Sequence, residues 1–194
     1  MKKRLTLLMI SSIFCLFIVS AHSDDSNNQL TLEHQNLLLD YNSKIIQYAN
    51  KYKLSGLNPI EYSDLENLLS LRRTEMLNLM KEHPILFSRF VLDDEVKNKL
   101  PVQLQTYVEK PIETRGDMWI IHSDDFENNK GEFIYNLEIQ EEVYLELYFD
   151  EDVLDNLDRN LLSDDKVKIS GYKIDDSVFV KNLELIVPET SGGG

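Results

Sequence analysis

Residues 133–149 read Phe133-Ile134-Tyr135-Asn136-Leu137-Glu138-Ile139, then Gln140-Glu141-Glu142, then Val143-Tyr144-Leu145-Glu146-Leu147-Tyr148-Phe149. On either side of the acidic break the apolar positions recur every second residue, the period of a strand with one buried face. Phe133, Tyr135, Leu137 and Ile139 point one way, as do Val143, Leu145, Leu147 and Phe149. Ile134, Asn136 and Glu138 face outward, as do Tyr144, Glu146 and Tyr148. The same period occurs before and after this pair. Ile112 to Ile121 is a first strand, interrupted at Gly116-Asp117 where a bulge or bend fits. Lys166–Gly171 is a fourth, with Val167 and Ile169 inward. Val178–Val187 is a fifth, whose inward phase slips between Val180 and Leu183 as at a bulge. Between the third and fourth lies an acidic stretch in which Val153, Leu154, Leu157 and Leu161 have helical spacing. Five strands, the first long and bent, with a helical insert after the third, predict an OB-like β-barrel over residues 111–187. Closing a sheet on itself removes exposed edges.

Upstream the period changes to that of helices. From Leu30 onward, Leu38, Tyr41, Ile45, Tyr48 and Tyr52 form one stripe, with Leu37 and Ala49 beside it, and Gly56 stands where a left-handed stop belongs. Asn58-Pro59-Ile60-Glu61 carries the signature of a helix start: a capping Asn, Pro at the first helical position, and a Glu able to reach back to the cap. Leu65, Leu68, Leu69, Met76, Leu79 and Met80 then line one face as far as His83-Pro84. A helical hairpin is expected, followed by short connector helices over Ile85–Val91, Asp93–Leu100 and Val102–Val108. The fold class is therefore α+β, with a helical subdomain at 24–110 and the barrel after it. Residues 188–194, ending Gly192-Gly193-Gly194, read as a tail.

The chain opens with Lys2, Lys3 and Arg4, an apolar run from Leu5 to Val19, and Ala21-His22-Ser23. That is the layout of a secretory signal peptide, residues 1–23, cleaved on export. The run falls short of the roughly 20 apolar residues of a spanning helix. A lipoprotein anchor would need a Cys at the cleavage point, whereas Cys15 lies within the run behind Phe14. After cleavage no cysteine remains, so neither disulfides nor thiolate chemistry is expected in the mature chain. Seventeen basic side chains then face 34 acidic ones, a net −17. Residues 101–187 hold 8 basic against 21 acidic, which repels phosphate backbones and anionic membrane surfaces. Neither nucleic acid nor membrane is an expected partner once the leader is gone.

Asp94-Glu95-Val96-Lys97-Asn98-Lys99-Leu100-Pro101 and Ile120-Ile121-His122-Ser123-Asp124-Asp125-Phe126 are followed by Tyr135-Asn136-Leu137-Glu138, Leu145-Glu146-Leu147-Tyr148-Phe149 and Leu161-Leu162-Ser163-Asp164-Asp165-Lys166-Val167-Lys168-Ile169-Ser170-Gly171. In these segments the stretch from Phe90 to Leu185 resembles the non-catalytic N-terminal region of bacterial secreted gametolysin-like metallopeptidases. The protease itself needs a His-Glu-x-x-His helix. That motif does not occur here, and the three His after the leader, His34, His83 and His122, are far apart. The resemblance thus implies the accessory region without its enzyme, exported as a cargo of type II secretion.

Several groups bear on chemistry. His122 with Asp124 and Asp125 could bind a metal or do acid–base work, but a strand end entering a turn, with Asp side chains bonding backbone N–H groups, accounts for the same residues. Asp150, Glu151, Asp152, Asp155 and Asp158, near Asp164 and Asp165, could gather calcium. They lack the ordered loop spacing, and a solvated acidic insert explains them. Tyr144 and Tyr148, with Asn136 and Glu138 opposite, and Trp119 on the first strand, occupy the region that OB barrels use for ligands. Alternatively the helices cover this face and the rings are core residues. No Ser lies in a Gly-x-Ser-x-Gly context and there is no Gly-rich phosphate loop. The expectation is a secreted, non-enzymatic binding protein without cofactor or metal, recognising an extracellular protein or glycan. Its rivals are an inhibitor or propeptide-like partner of a secreted metalloprotease, and a calcium-dependent hydrolase.

Overall fold

A computed structural model describes residues 25–125, 130–149, 151–157 and 160–186. The proposed signal peptide and tail lie outside these residues. Helix α1 (Asp25–Ser55) and helix α2 (Pro59–Glu82) form the hairpin. Gly56 turns the chain between them at φ +77°, a conformation in which a Cβ is strained. The expected cap at α2 is present. The Asn58 side chain accepts from the N–H groups of Ile60 and Glu61, and Glu61 accepts from the Asn58 N–H at 3.1 Å. Short helices α3 (Pro84–Phe87) and α4 (Asp94–Lys97), with 3-10 turns at Ser88–Phe90 and Val102–Tyr107, make the connector.

The connector completes the core of the hairpin. Leu92, Leu100, Leu104 and Val108 are buried against Ile45, Ala49, Leu65 and Leu69.

The barrel consists of β1 (Lys110–Asp125), β2 (Lys130–Gln140), β3 (Val143–Phe149), β4 (Lys166–Ile174) and β5 (Ser177–Leu185). It closes in the order β1-β2-β3-β5-β4, with β3 and β5 parallel and every other pair antiparallel. This is the OB-like barrel expected. Strand β1 reaches this closure by changing neighbours: its first half pairs with β4 and, from Asp117 on, it pairs with β2. Gly116 stands at the change. A Cβ there would run into the Glu138 carbonyl, so the bend needs glycine. The phase slip in β5 is a register shift that leaves Lys181 without an opposite residue, since Ser170 faces Asn182 and Gly171 faces Val180.

Met118, Leu137, Leu145, Leu147, Val167, Ile169, Val178, Val180 and Leu183 fill the barrel. Helix α5 (Glu151–Asp155) and the segment after it close one end, with Val153, Leu157 and Leu161 against this core. Three residues expected to face inward differ. Phe133, Ile139 and Val143 are exposed. Their strand phase is as read, but a register shift between Glu138 and Gln140 turns Ile139 and Val143 at the hairpin end. Phe133 lies beyond the last β2–β3 partner pair, Tyr135 with Leu147.

A third core joins the two units. Leu38, Met76, Leu79, Met80, Phe87 and Phe90 pack on Ile174 and Phe179, with Tyr148 and Tyr172 at the margin. The Phe87 and Phe179 rings are 4.9 Å apart. Such an aromatic pair contributes about 1 kcal/mol beyond its buried area.

Beside this core lies a charged group with no solvent exposure. The Arg72 guanidinium donates to both Glu109 oxygens, at 2.8 and 3.3 Å, and to the Phe90 carbonyl and Asn42 Oδ1, both at 2.6 Å. Glu109 also accepts from the Leu92 N–H at 2.5 Å, with Lys97 Nζ 3.8 Å away. Helix, connector and the start of β1 therefore meet on one carboxylate.

Candidate functional site

The outer surface of β1, β2 and β3 is a grid set by register. Asp117, Glu138 and Tyr144 form one row. Trp119, Asn136 and Glu146 form the next, and Ile121 and Ile134 the third, where strand alternation puts Tyr148. Three of the four residues singled out in the sequence, Trp119, Asn136 and Tyr144, thus come together on neighbouring strands roughly 4.8 Å apart.

Trp119 and Tyr144 are exposed, at 43% and 45%. Asn136 is half-buried between Trp119 and Glu146. Tyr148 is different. It is half-buried beside the helix–barrel core, with Lys81 of α2 6.0 Å from its ring centroid. Burial, then a hydrogen bond to the Glu146 carboxylate, pushes its hydroxyl well above the ordinary value of 10.0, while Ser177 opposes this. Tyr148 therefore stays a neutral donor and belongs to the helix–barrel contact, whereas Tyr144 belongs to the open face. The helical unit covers part of the OB ligand region and leaves the rest uncovered.

Glu138 is the residue that the sequence reading placed beside the tyrosines without giving it a role. Its Oε2 accepts from the Trp119 indole N–H at 2.9 Å, and its Oε1 accepts from the Glu142 backbone N–H at 3.3 Å. Glu142 adopts φ 59° to turn the chain there. The carboxylate fixes the indole, and each oxygen keeps spare acceptor capacity. Beside it opens a cleft of about 480 Å³ lined by Arg115, Asp117, Glu138, Gln140, Lys166 and Ile186. Lys166 pairs with Asp117 across it at 3.8 Å.

On the far side, the β4–β5 turn, which OB barrels use with the β1–β2 loop for ligands, is engaged. Asp175 is bonded by Arg73 of α2, which holds its carboxyl below the ordinary value. The β1–β2 loop, residues 126–129, lies outside the described residues, as do the side chains of His122, Asp124 and Asp125.

In the acidic insert, Asp150 and Asp158 fall outside the described residues. Asp165 Oδ2 accepts from the Leu162 N–H at 2.8 Å, a turn role. Among the described residues no group of three or more His, Cys, Asp or Glu side chains is disposed to hold a metal ion, and no helix is long and apolar enough to cross a membrane.

Chemically the face offers two aromatic surfaces for stacking and a set of carboxylates as acceptors. It suits hydroxylated or cationic groups and disfavours anions. No protein-family model, curated protein or solved structure matches the chain.

Proposed function

We propose that this is an exported, non-enzymatic binding protein that recognises an extracellular protein or glycan with the outer face of β1–β2–β3. One observation carries the reading: the Trp119 indole, exposed yet tied at 2.9 Å to Glu138 of the next strand, which itself lies opposite the exposed Tyr144. An exposed aromatic ring normally loses rotamer freedom on binding, and one already fixed loses less. Carboxylates of Glu138, Glu146 and Asp117 around the rings favour neutral or basic glycans and basic protein surfaces over anionic polymers.

Trp119 is the single tryptophan in the chain, so its fluorescence reports this face alone. Titration with a panel of neutral, basic and acidic glycans and extracellular proteins is expected to shift that emission for a neutral or basic member. Trp119→Phe/Tyr144→Ala is expected to weaken binding of the same member by at least tenfold, followed calorimetrically. Equal binding by the variant eliminates the face as the site.

A further inference from the structure

Helix α1 turns a face to solvent that none of the described residues covers. Leu32, Leu39, Ile46 and Leu54 lie along its outer side with Asn36, Ser43 and Asn50 between them, at steps of three and four residues. All seven are exposed, Leu39 at 57% and Leu54 at 87%. None is charged, in a chain of net charge −14. Lys99 approaches only from the side, donating to Asn50 at 3.1 Å.

The order along this line is Leu, Asn, Leu, Ser, Ile, Asn, Leu. Turned end for end about Ser43, it matches itself to within one residue: Leu32 falls opposite Leu54, Asn36 opposite Asn50, and Leu39 one position from Ile46. The charges on one flank carry the same symmetry with opposite sign. Reading along α1 they are Glu33, Asp40, Lys44 and Lys51, all exposed. End-for-end pairing about Ser43 brings Glu33 within two residues, about 3 Å along the axis, of Lys51 of the second copy and Asp40 within two of Lys44, lysines that in the single chain bond Glu61 and Asp40. An antiparallel two-fold pair brings the same flank of both helices together, so these contacts form simultaneously.

We infer that α1 is a self-association surface, on which two copies of this chain pair antiparallel through a two-fold axis at Ser43. An uncharged stripe is the place where two strongly anionic molecules can meet, and the flanking charges select the antiparallel arrangement. A parallel pair forgoes both charge contacts. The stripe is about 33 Å long and roughly 10 Å wide. It therefore supplies under half of the roughly 800 Å² per partner of a standard interface, which makes the dimer a weak, transient one. Dimerisation sets two copies of the β1–β2–β3 face in one particle, but the inference does not depend on what that face binds.

Sedimentation velocity across the micromolar range tests it. The wild type is expected to shift from monomer to dimer with concentration. Leu39→Glu/Ile46→Glu, at exposed positions, is expected to stay monomeric with unchanged circular dichroism. Glu33→Lys/Asp40→Lys is expected to weaken the dimer at least tenfold, and adding Lys44→Glu/Lys51→Glu to restore it. In a Cys15→Ser background, Ser43→Cys is expected to form a disulfide-linked dimer on oxidation and Leu32→Cys to remain reduced. A monomer at every concentration, a dimer indifferent to Leu39→Glu/Ile46→Glu, a charge reversal that fails to restore pairing, or Leu32→Cys crosslinking as readily as Ser43→Cys, overturns the inference.

Discussion

Replacing Glu109 by Ala removes the acceptor on which the helical unit and the barrel converge. The carboxylate has no solvent exposure and receives two bonds from Arg72 and one from the Leu92 N–H. Without it the Arg72 guanidinium stays buried, still bonded to Phe90 O and Asn42 but uncompensated in charge. Breaking a buried ion pair from one side costs about 3–5 kcal/mol, and the orphaned Leu92 N–H about 1–3 more. The two overlap, since the site relaxes once, and about 4 kcal/mol is the expected loss. With a urea slope of about 2 kcal/mol per molar, the midpoint falls by about 2 M.

Arg72→Met/Glu109→Leu removes both charges together, while the Asn42 side-chain N–H still satisfies Phe90 O at 3.0 Å. The double variant is expected to be less destabilised than the sum of its singles by at least about 1 kcal/mol. Two probes divide the result between the units: Trp119 emission follows the barrel, and far-ultraviolet circular dichroism is dominated by the helices. In the wild type both transitions are expected to coincide, and in Glu109→Ala the helical signal is expected to be lost first, because the severed contact is the one that couples the units. A midpoint shift below about 0.5 M, or strict additivity in the double variant, refutes this account of the junction.

Three further outcomes follow from local geometry. Gly116→Ala is expected to cost about 2 kcal/mol or more in a denaturant melt, because its Cβ meets the Glu138 carbonyl; a neutral result would mean that the β1 bend yields freely. Asn58→Ala, which removes two cap bonds at 3.0 Å, is expected to cost about 1 kcal/mol and Asn58→Gly only a few tenths; equal losses in thermal melts would mean that the side chain is not capping. The Asp175 carboxyl is held below its ordinary value of 3.8 by Arg73, so the stability it contributes is present above that value and lost as pH falls through its folded value. The pair is half exposed, so Asp175→Asn, which keeps the left-handed turn at φ 54°, is expected to lose under about 1 kcal/mol at neutral pH. The deficit should vanish once the pH has fallen through that folded value, and a deficit constant across the pH series of melting temperatures would remove Arg73 as its cause.

Much of the fold was legible in the amino-acid order because its signals are local. Alternation at Leu137, Leu145, Leu147, Val167 and Ile169 depends only on which side of a strand each residue faces, and all five are buried in the barrel. Asn58-Pro59-Ile60-Glu61 caps its own helix, and Gly56 turns its own residue. Gly116 announced a bend in β1, and the slip between Val180 and Leu183 announced the bulge. The site was legible only as a list. Alternation put Tyr144 and Tyr148 on one face, yet period says nothing about whether another element covers that face, and α2 covers the second ring and not the first. Nor does strand phase warn that Ile139 and Val143 sit at the hairpin end and Phe133 beyond the reach of β3 pairing, where facing inward no longer means being buried.

What the order of residues determined alone was therefore the elements, their caps and bends, the fold class, and the excess of negative charge. Tertiary structure alone decided that Arg72 and Glu109, 37 positions apart, would share one dry site, that Glu138 would fix the Trp119 ring, and that the outer side of α1 would remain uncovered. The physical reason is range. Dihedral preference, hydrophobic period and capping act within a few residues. Burial, and with it the strength of a charge contact or the availability of a ring, depends on which distant surfaces come to lie against each other.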